Sequence, residues 1–108
     1  MGGYVYLICD PKNDYYKIGV TTGSIEKRLK SLQTGNGTEL HIVSHFQTNT
    51  PFKLEKFLHF KFGLEREVGE WFTLSSDEIS KFKEICEEAQ KTIDSIMDNP
   101  FYNKDAKV

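Results

Sequence analysis

The sequence has little of several features that define whole classes of protein. It contains no apolar run near the roughly 18–20 residues that a membrane span requires, so we expect a chain that does not cross a membrane. Its beginning, MGGYVYLICD, has neither a basic region nor a cleavage site, so we expect no signal peptide and a cytoplasmic location. Two cysteines, Cys9 and Cys86, stand in apolar contexts, which favours reduced core thiols over a disulfide.

A strong charge of one sign is also missing. The 108 residues allow one small domain, and 38% hydrophobic with 28% charged residues exclude collagen-like, low-complexity and disordered classes. The net charge of −2 argues against a generic polyanion-binding protein. The charge is unevenly distributed, because residues 1–62 carry eight basic and five acidic side chains whereas residues 63–108 carry six and eleven. We therefore expect any nucleic-acid surface in the first part.

Residue patterns predict the element order β-β-α-β-α-(β)-α. Two β-rich runs around the turn cluster DPKND predict a hairpin. The predicted elements are strands over 3–9, 15–20 and 39–47, a helix over 25–33 capped by Ser24, a helix from Pro51 to about Phe62 capped by Thr50, a loop GLEREVG, an extended EWFTL piece, and a helix over 77–97 capped by Ser75 or Ser76. We predict an α+β domain over 1–98, in which helices flank a small three-stranded antiparallel sheet, followed by a flexible tail over 99–108.

Alternation along the hairpin separates two faces of the sheet. A register with Tyr6 opposite Lys17, and a reversal through 10–13, keeps apolar and polar sets apart. The first face, a core face, then carries Val5, Leu7, Cys9, Tyr16, Ile18 and Val20, and the second carries Tyr4, Tyr6, Ile8, Tyr15, Lys17 and Gly19. The second face is either a tyrosine-covered sheet under a helix, with Lys17 reaching outward, or part of a site.

Two helices add charged side chains that could meet the second face. Arg28 lies about 60° from the centre of its helix's apolar stripe and is predicted to border the sheet. Glu55 and His59 lie one turn apart on a later helix, bracketed by apolar residues that include Phe52. A carboxylate in such a stripe is costly unless it is paired or binds a metal. These groups either converge into an active site or form a structural pair of Glu55 with His59 or Arg28.

The motifs, taken in order, resemble those of the GIY-YIG nuclease superfamily. Tyr4-Val5-Tyr6 is followed after ten residues by Lys17-Ile18-Gly19, then by Arg28, Glu55-x3-His59 and Glu70-Trp71-Phe72. The resemblance covers residues 3–74 and is closest to a compact stand-alone subgroup with K-I-G as its second motif.

The resemblance implies a divalent-metal-dependent endonuclease that hydrolyses DNA phosphodiester bonds with Mg²⁺ or Mn²⁺. It implies that Tyr6 helps to deprotonate the attacking water, that Arg28 steadies the phosphate and that Glu55 ligates the cation. Gly19 matches the glycine that lets the strand end approach the site. Lys17 stands where most members have tyrosine, and the asparagine that many members carry after the metal ligand has no clear match.

The chemistry of these residue types agrees with those roles. A free phenol is almost wholly protonated at pH 7, so it needs a nearby cation to act as a base, and Lys17 would supply one. Arginine suits bidentate phosphate binding, and one carboxylate with water commonly holds Mg²⁺. His59 would serve as a neighbour that orients Glu55 or as a proton carrier. Tyr4 and Tyr15 are expected to support the site from the same face.

The alternative is a catalytically inactive module of the same fold that binds nucleic acid or a protein partner. The acidic residues 63–108 favour this alternative, because they could face a partner and because their negative charge weakens the affinity for DNA. The helix over 77–97 would mediate a homodimer or a protein contact. His41 and His45 lie about 13 Å apart along one strand, too far to share a metal, and Trp71 and Phe72 are interpreted as core residues.

Overall fold

The computed structural model describes residues 2–63, 66–68 and 71–98, and the predicted tail over 99–108 lies outside them. It confirms the α+β class. In chain order the elements are β1 Gly3–Asp10, β2 Tyr15–Thr21, α1 Ile25–Thr34, β3 His41–Thr48, α2 Pro51–Lys61, β4 Arg66–Val68, β5 Trp71–Phe72, α3 Ser76–Ser80 and α4 Phe82–Asp98.

The described strands form one antiparallel sheet of five, in the order β3-β1-β2-β5-β4. The prediction of three strands was therefore too low, since β5 and β4 extend the sheet beyond β2. The segment predicted as a loop contains β4, three residues long, and the predicted extended piece contains β5, two residues long. Runs this short show no period-2 pattern, so pairing with a neighbouring strand decides whether they form.

The register of the β1–β2 hairpin differs from the prediction by two residues. Tyr6 pairs with Gly19 and Lys17 with Ile8, so the predicted Tyr6–Lys17 pair is wrong. The chain reverses through residues 11–14, where Asp14 adopts a φ of 57°. A two-residue shift leaves every side chain on its original face, so the hydrophobic pattern could not distinguish the two registers.

Asp10 anchors this turn from the end of β1. Its buried carboxylate accepts hydrogen bonds from the backbone N–H of Lys12 and Asn13, the Asn13 side chain and the Thr38 hydroxyl. Hydrogen bonds from the Asn13 side chain, then from Thr38, hold the pKa of Asp10 below its ordinary value of 3.8. The contact with Thr38 ties the hairpin turn to the loop between α1 and β3.

Helices cover both faces of the sheet, and the predicted faces are confirmed. The first face carries the main core, whose buried residues are Val5, Leu7, Ile18, Leu54, Leu58, Phe62, Phe72, Phe82, Cys86, Ala89 and Ile93. They come from β1, β2, β5, α4, and α2 with Phe62 just after its end. On the second face, Tyr6 and Ile8 pack with Leu40 against Leu29 and Leu32 of α1. The sheet is therefore the middle layer of three.

Local capping explains where most helices begin. The Ser24 side chain accepts a hydrogen bond from the Lys27 N–H at 3.3 Å, as predicted for α1. Ser75 and Glu78 form a reciprocal capping box at α3. Thr50 is the N-cap residue of α2 and Pro51 follows it, as predicted, but the Thr50 hydroxyl makes no hydrogen bond to α2 and accepts one from Gln90 of α4.

The C-terminal helical segment is interrupted. The single helix predicted over 77–97 is two helices, α3 and α4, separated at Lys81, whose ψ is 14°. Lys81 N–H donates to the Asp77 carbonyl, and Ile85 N–H begins the next helix by donating to the Lys81 carbonyl. No helix in the described part of the chain is both long enough and apolar enough to span a bilayer.

Candidate active site

Tyr6 and Arg28 meet on the second face of the sheet. Tyr6 is fully buried, and its hydroxyl oxygen accepts a hydrogen bond from Arg28 Nε at 3.2 Å. Ser24 starts α1 so that Arg28 falls in its first turn, beside the sheet and largely exposed to water. The predicted position of Arg28 at the border of the sheet is confirmed. The contact brings together a phenol and a cation suited to bidentate phosphate binding.

Gly19 leaves the space that the Tyr6 ring occupies. A Cβ at this position would lie 2.6 Å from Tyr6 Cζ and closer still to the hydroxyl oxygen. Real Cβ atoms do not approach heavy atoms so closely, so any other residue at position 19 would displace the tyrosine. The glycine of the K-I-G motif therefore has a local steric role, because it seats Tyr6 beneath Arg28.

Lys17 lies on the same face, diagonal to Tyr6. Its side chain is only 8% exposed, and its ammonium nitrogen lies 5.8 Å from the centroid of the Trp71 ring. Diagonal neighbours across an antiparallel pair stand about 7–8 Å apart, compared with about 5 Å for opposed residues. The structure therefore keeps Lys17 on the predicted face but not in the predicted pair. A cation over a tryptophan ring is stabilised by the ring quadrupole.

Glu55 and His59 form the other half of the candidate site, on α2. His59 Nε2 lies 2.7 Å from the Ile18 carbonyl oxygen and 4.0 Å from Glu55 Oε2. A carbonyl can only accept, so Nε2 carries the hydrogen in this arrangement. The His59 ring also packs edge-on against Phe72, with ring centroids 5.2 Å apart. These contacts favour a residue that positions Glu55 over one that carries a proton.

Tyr6 and His59 contact neighbouring residues of β2 from different layers, Tyr6 on the second face and His59 from α2 on the first face. Tyr6 lies over Gly19, and His59 binds the carbonyl of Ile18. The described pairs between β2 and β5 are Tyr16 with Phe72 and Lys17 with Trp71, and the Ile18 carbonyl that His59 contacts belongs to the next residue of β2. Ile18 and Gly19, in the middle of β2, are thus the residues at which His59 and Tyr6 contact this strand.

Of the two tyrosines expected to support the site, one lies beside Tyr6 and the other does not. Tyr4 lies next to the site and packs edge-on against His45, with ring centroids 5.7 Å apart. Tyr15 pairs with Asp10 at the other end of the hairpin, four residues or about 13 Å along the strand from Gly19, so the structure does not bring it to Tyr6. Glu70 of the predicted E-W-F motif lies outside the described residues.

His45 was missed as a possible site residue. It lies opposite Tyr6 in the β1–β3 register and is exposed. Alternation along β3 relative to the apolar Phe46 is the sequence signal that indicates the second face for His45. Within residues 2–63, 66–68 and 71–98, no three His, Cys, Asp or Glu side chains cluster closely enough to hold a metal by themselves.

The match to a family model shows that the chain contains a GIY-YIG-like domain of the nuclease type. A family model, the T5orf172 domain, matches residues 3–87, which is most of the chain. The chain therefore belongs to the T5orf172 domain family. No curated protein and no solved structure matches the chain significantly.

Proposed function

We propose that this chain is a divalent-metal-dependent endonuclease that hydrolyses DNA phosphodiester bonds, in the compact GIY-YIG subgroup with a K-I-G second motif. The observation that carries the proposal is the hydrogen bond between Arg28 and the buried Tyr6 hydroxyl, seated over Gly19. If Tyr6 had only a structural role, a hydrogen bond from an arginine that stays exposed to water would add little to stability. An arginine at this place is instead accessible to a phosphate while it fixes the phenol.

Three residues of the chain would have separate roles in hydrolysis. Arg28 would bind the phosphate oxygens and neutralise the charge that develops on them. Tyr6, held in place by Arg28 and Gly19, would take the proton of the attacking water only as a phenolate, and substrate binding would have to open its buried hydroxyl to water. Lys17, buried on the same face, would add positive charge beside the reacting phosphate.

The donor set on α2 fits a divalent cation of the Mg²⁺ kind. The Glu55 side chain is 25% exposed on α2, and its Oε2 lies 4.0 Å from His59 Nε2. Mg²⁺ is usually held by one or two carboxylates together with water and substrate phosphate oxygens, and Glu55 would be that carboxylate for Mg²⁺ or Mn²⁺. The bound cation would supply charge neutralisation at the phosphate and the leaving oxygen. His59 would fix α2 against β2 and so position Glu55.

Cleavage of supercoiled plasmid tests the proposal. We expect wild-type protein to nick plasmid with Mg²⁺ and not with EDTA, and we expect Glu55→Ala and Tyr6→Phe to lose about 100-fold or more of the rate. Glu84→Ala removes a carboxylate from the first turn of α4 and is the matched control that should keep full activity. Equal nicking by all four proteins would indicate contamination and would overturn the proposal.

The second candidate is an inactive module that binds nucleic acid or a protein partner. This candidate is supported by the hydrogen bond between His59 Nε2 and a backbone carbonyl, which occupies that nitrogen. It is also supported by the surplus of acidic over basic side chains in residues 63–108. This surplus would weaken DNA binding unless a second copy or another protein, bound through α4, contributed positive charge. Retained DNA binding with no metal-dependent nicking would favour this candidate. Both candidates are proposed to act in the cytoplasm.

A further inference from the structure

One side of α2 exposes aromatic rings to solvent. Phe60 is 88% exposed and Phe52 is 62% exposed, the largest values among the large apolar side chains of the described residues. Phe62, the C-cap residue directly after this helix, is 2% exposed and belongs to the core. We call Phe52, Lys56 and Phe60 the aromatic stripe. Burying the two exposed rings would be favourable, so their exposure indicates a surface that some ligand covers.

The aromatic stripe runs alongside the Glu55–His59 pair. Its members are spaced four residues apart, so they follow one side of the helix over about 12 Å. Phe52 stands three residues before Glu55, and Lys56 stands three residues before His59, which makes each pair neighbours on the helix surface. A ligand that covers the stripe would therefore pass beside the candidate site.

The charge of the stripe favours nucleic acid over a second copy of this chain. Lys56 is exposed between the two rings. Lys53, the residue after Phe52, is also exposed, and its Nζ lies 3.6 Å from Met97 Sδ. A two-fold contact between copies of the stripe would bring these lysines towards one another, which opposes self-association. A phosphate backbone has the complementary charge.

Phenylalanine also restricts which nucleic acid fits. A phenyl ring has no hydrogen-bonding group, so it cannot distinguish base edges in a duplex groove. It can stack on the face of a base, and base faces are accessible in single strands and locally unpaired regions rather than inside a duplex.

We propose that the aromatic stripe binds unpaired bases of a single-stranded or locally unpaired nucleic acid, with Lys56 contacting the backbone between them. The inference that the bound strand continues towards Glu55 rests on the proposed nuclease function. The stacking contact itself requires neither a metal nor cleavage.

Fluorescence anisotropy in EDTA tests the stripe without any catalytic step. The probes are a labelled oligothymidine of about fifteen nucleotides, an abasic strand of the same length and a duplex of the same length. We expect wild-type protein to prefer the oligothymidine to the abasic strand and to the duplex. The double variant Phe52→Leu/Phe60→Leu keeps apolar side chains but removes the rings. It should bind oligothymidine about ten- to 100-fold more weakly and bind the abasic strand within about twofold of wild type. Ile96→Ala, at an exposed apolar position of α4, should change neither affinity.

Any of three results would overturn the stripe proposal. The first is equal wild-type affinity for the oligothymidine and the abasic strand, and the second is an equal loss of affinity for both strands in the leucine variant. The third is a wild-type dimer that the variant converts to a monomer in size-exclusion chromatography. The plasmid assay separates this proposal from the nuclease proposal. Base-dependent binding without nicking would support the stripe and count against the nuclease, and normal nicking without base-dependent binding would do the reverse.

Discussion

The two faces of the sheet are built from the same strands but depend on different interactions. The buried cluster on the first face, between the sheet and α2 with α4, consists of apolar side chains. The second face holds Asp10 and Lys17, two of the three buried polar or charged side chains in the described part, together with the buried hydroxyl of Tyr6. The first face tolerates any arrangement that fills its volume, whereas each buried polar group on the second face needs a particular partner. The comparison predicts that substitutions on the first face change stability, and that those on the second face change function at smaller cost in stability.

The largest expected effect tests the first face. Leu58→Ala on α2 should lower the free energy of unfolding by about 2–5 kcal/mol, because Leu58 is fully buried and the change leaves a cavity. Phe60→Ala, two residues later on the exposed side, is the matched control and should change it by less than about 0.5 kcal/mol. Urea unfolding measures both. A loss below about 1 kcal/mol for Leu58→Ala would contradict the division between the faces.

Gly19→Ala tests the close approach that seats Tyr6. The new Cβ forces the ring out of place, and we expect a loss of about 1–3 kcal/mol in the free energy of unfolding together with loss of nuclease activity. Gly37→Ala has no heavy atom within 4 Å of the added Cβ and should be nearly neutral. In a Tyr6→Ala background the cost of Gly19→Ala should largely disappear. Additive costs in that double-mutant cycle would show that the contact is not the cause.

Tyr6→Phe removes one oxygen from the second face. The lost hydrogen bond to Arg28 should lower the free energy of unfolding by only about 1 kcal/mol, because the ring still fills its place over Gly19. Tyr15→Phe, at the far end of the same face, is the control and should leave nicking unchanged. If Tyr6→Phe unfolded the protein, its loss of activity would have a structural cause, and the second face would resemble the first.

The smallest expected effect is a dependence of stability on pH through Asp10. Its hydrogen bonds hold its pKa below 3.8, so the charged form stabilises the folded state above that pH, and this contribution is lost as the pH falls towards the lowered value. Asp10→Asn should therefore be less stable than wild type at pH 7, with the difference shrinking as the pH falls below 3.8. Urea unfolding at several pH values measures this. A difference that does not change with pH would contradict it.

The sequence predicted those features that local pattern determines. Alternation assigned Val5 and Ile18 to the core face and Tyr6 to the second face, and the helical angle placed Arg28 beside the sheet. The hairpin register could not be predicted, because the conformation at Asp14 sets the length of the turn while both registers preserve the faces. The exposure of Phe60 was equally inaccessible, since the sequence does not show what packs against an aromatic side chain.

Within the candidate site, the predictable part was the identity of the groups rather than their contacts. The His59 contact with the Ile18 carbonyl depends on how α2 packs against β2, and no local pattern in the sequence shows that packing. The steric role of Gly19 likewise appears only once Tyr6 is known to pair with it. A motif therefore indicates which residues matter before it indicates why.

Helix α2 carries core residues on one side, Glu55 and His59 on the next and the aromatic stripe beyond them. Inserting or deleting one residue within it would rotate everything that follows by about 100°. Such a change after Glu55 would move Leu58 out of the core, His59 away from β2 and Phe60 out of line with Phe52 at once. Substitutions can adjust these three roles one at a time, but changes of length cannot, so we expect the length of α2 to vary less than that of the loops around it.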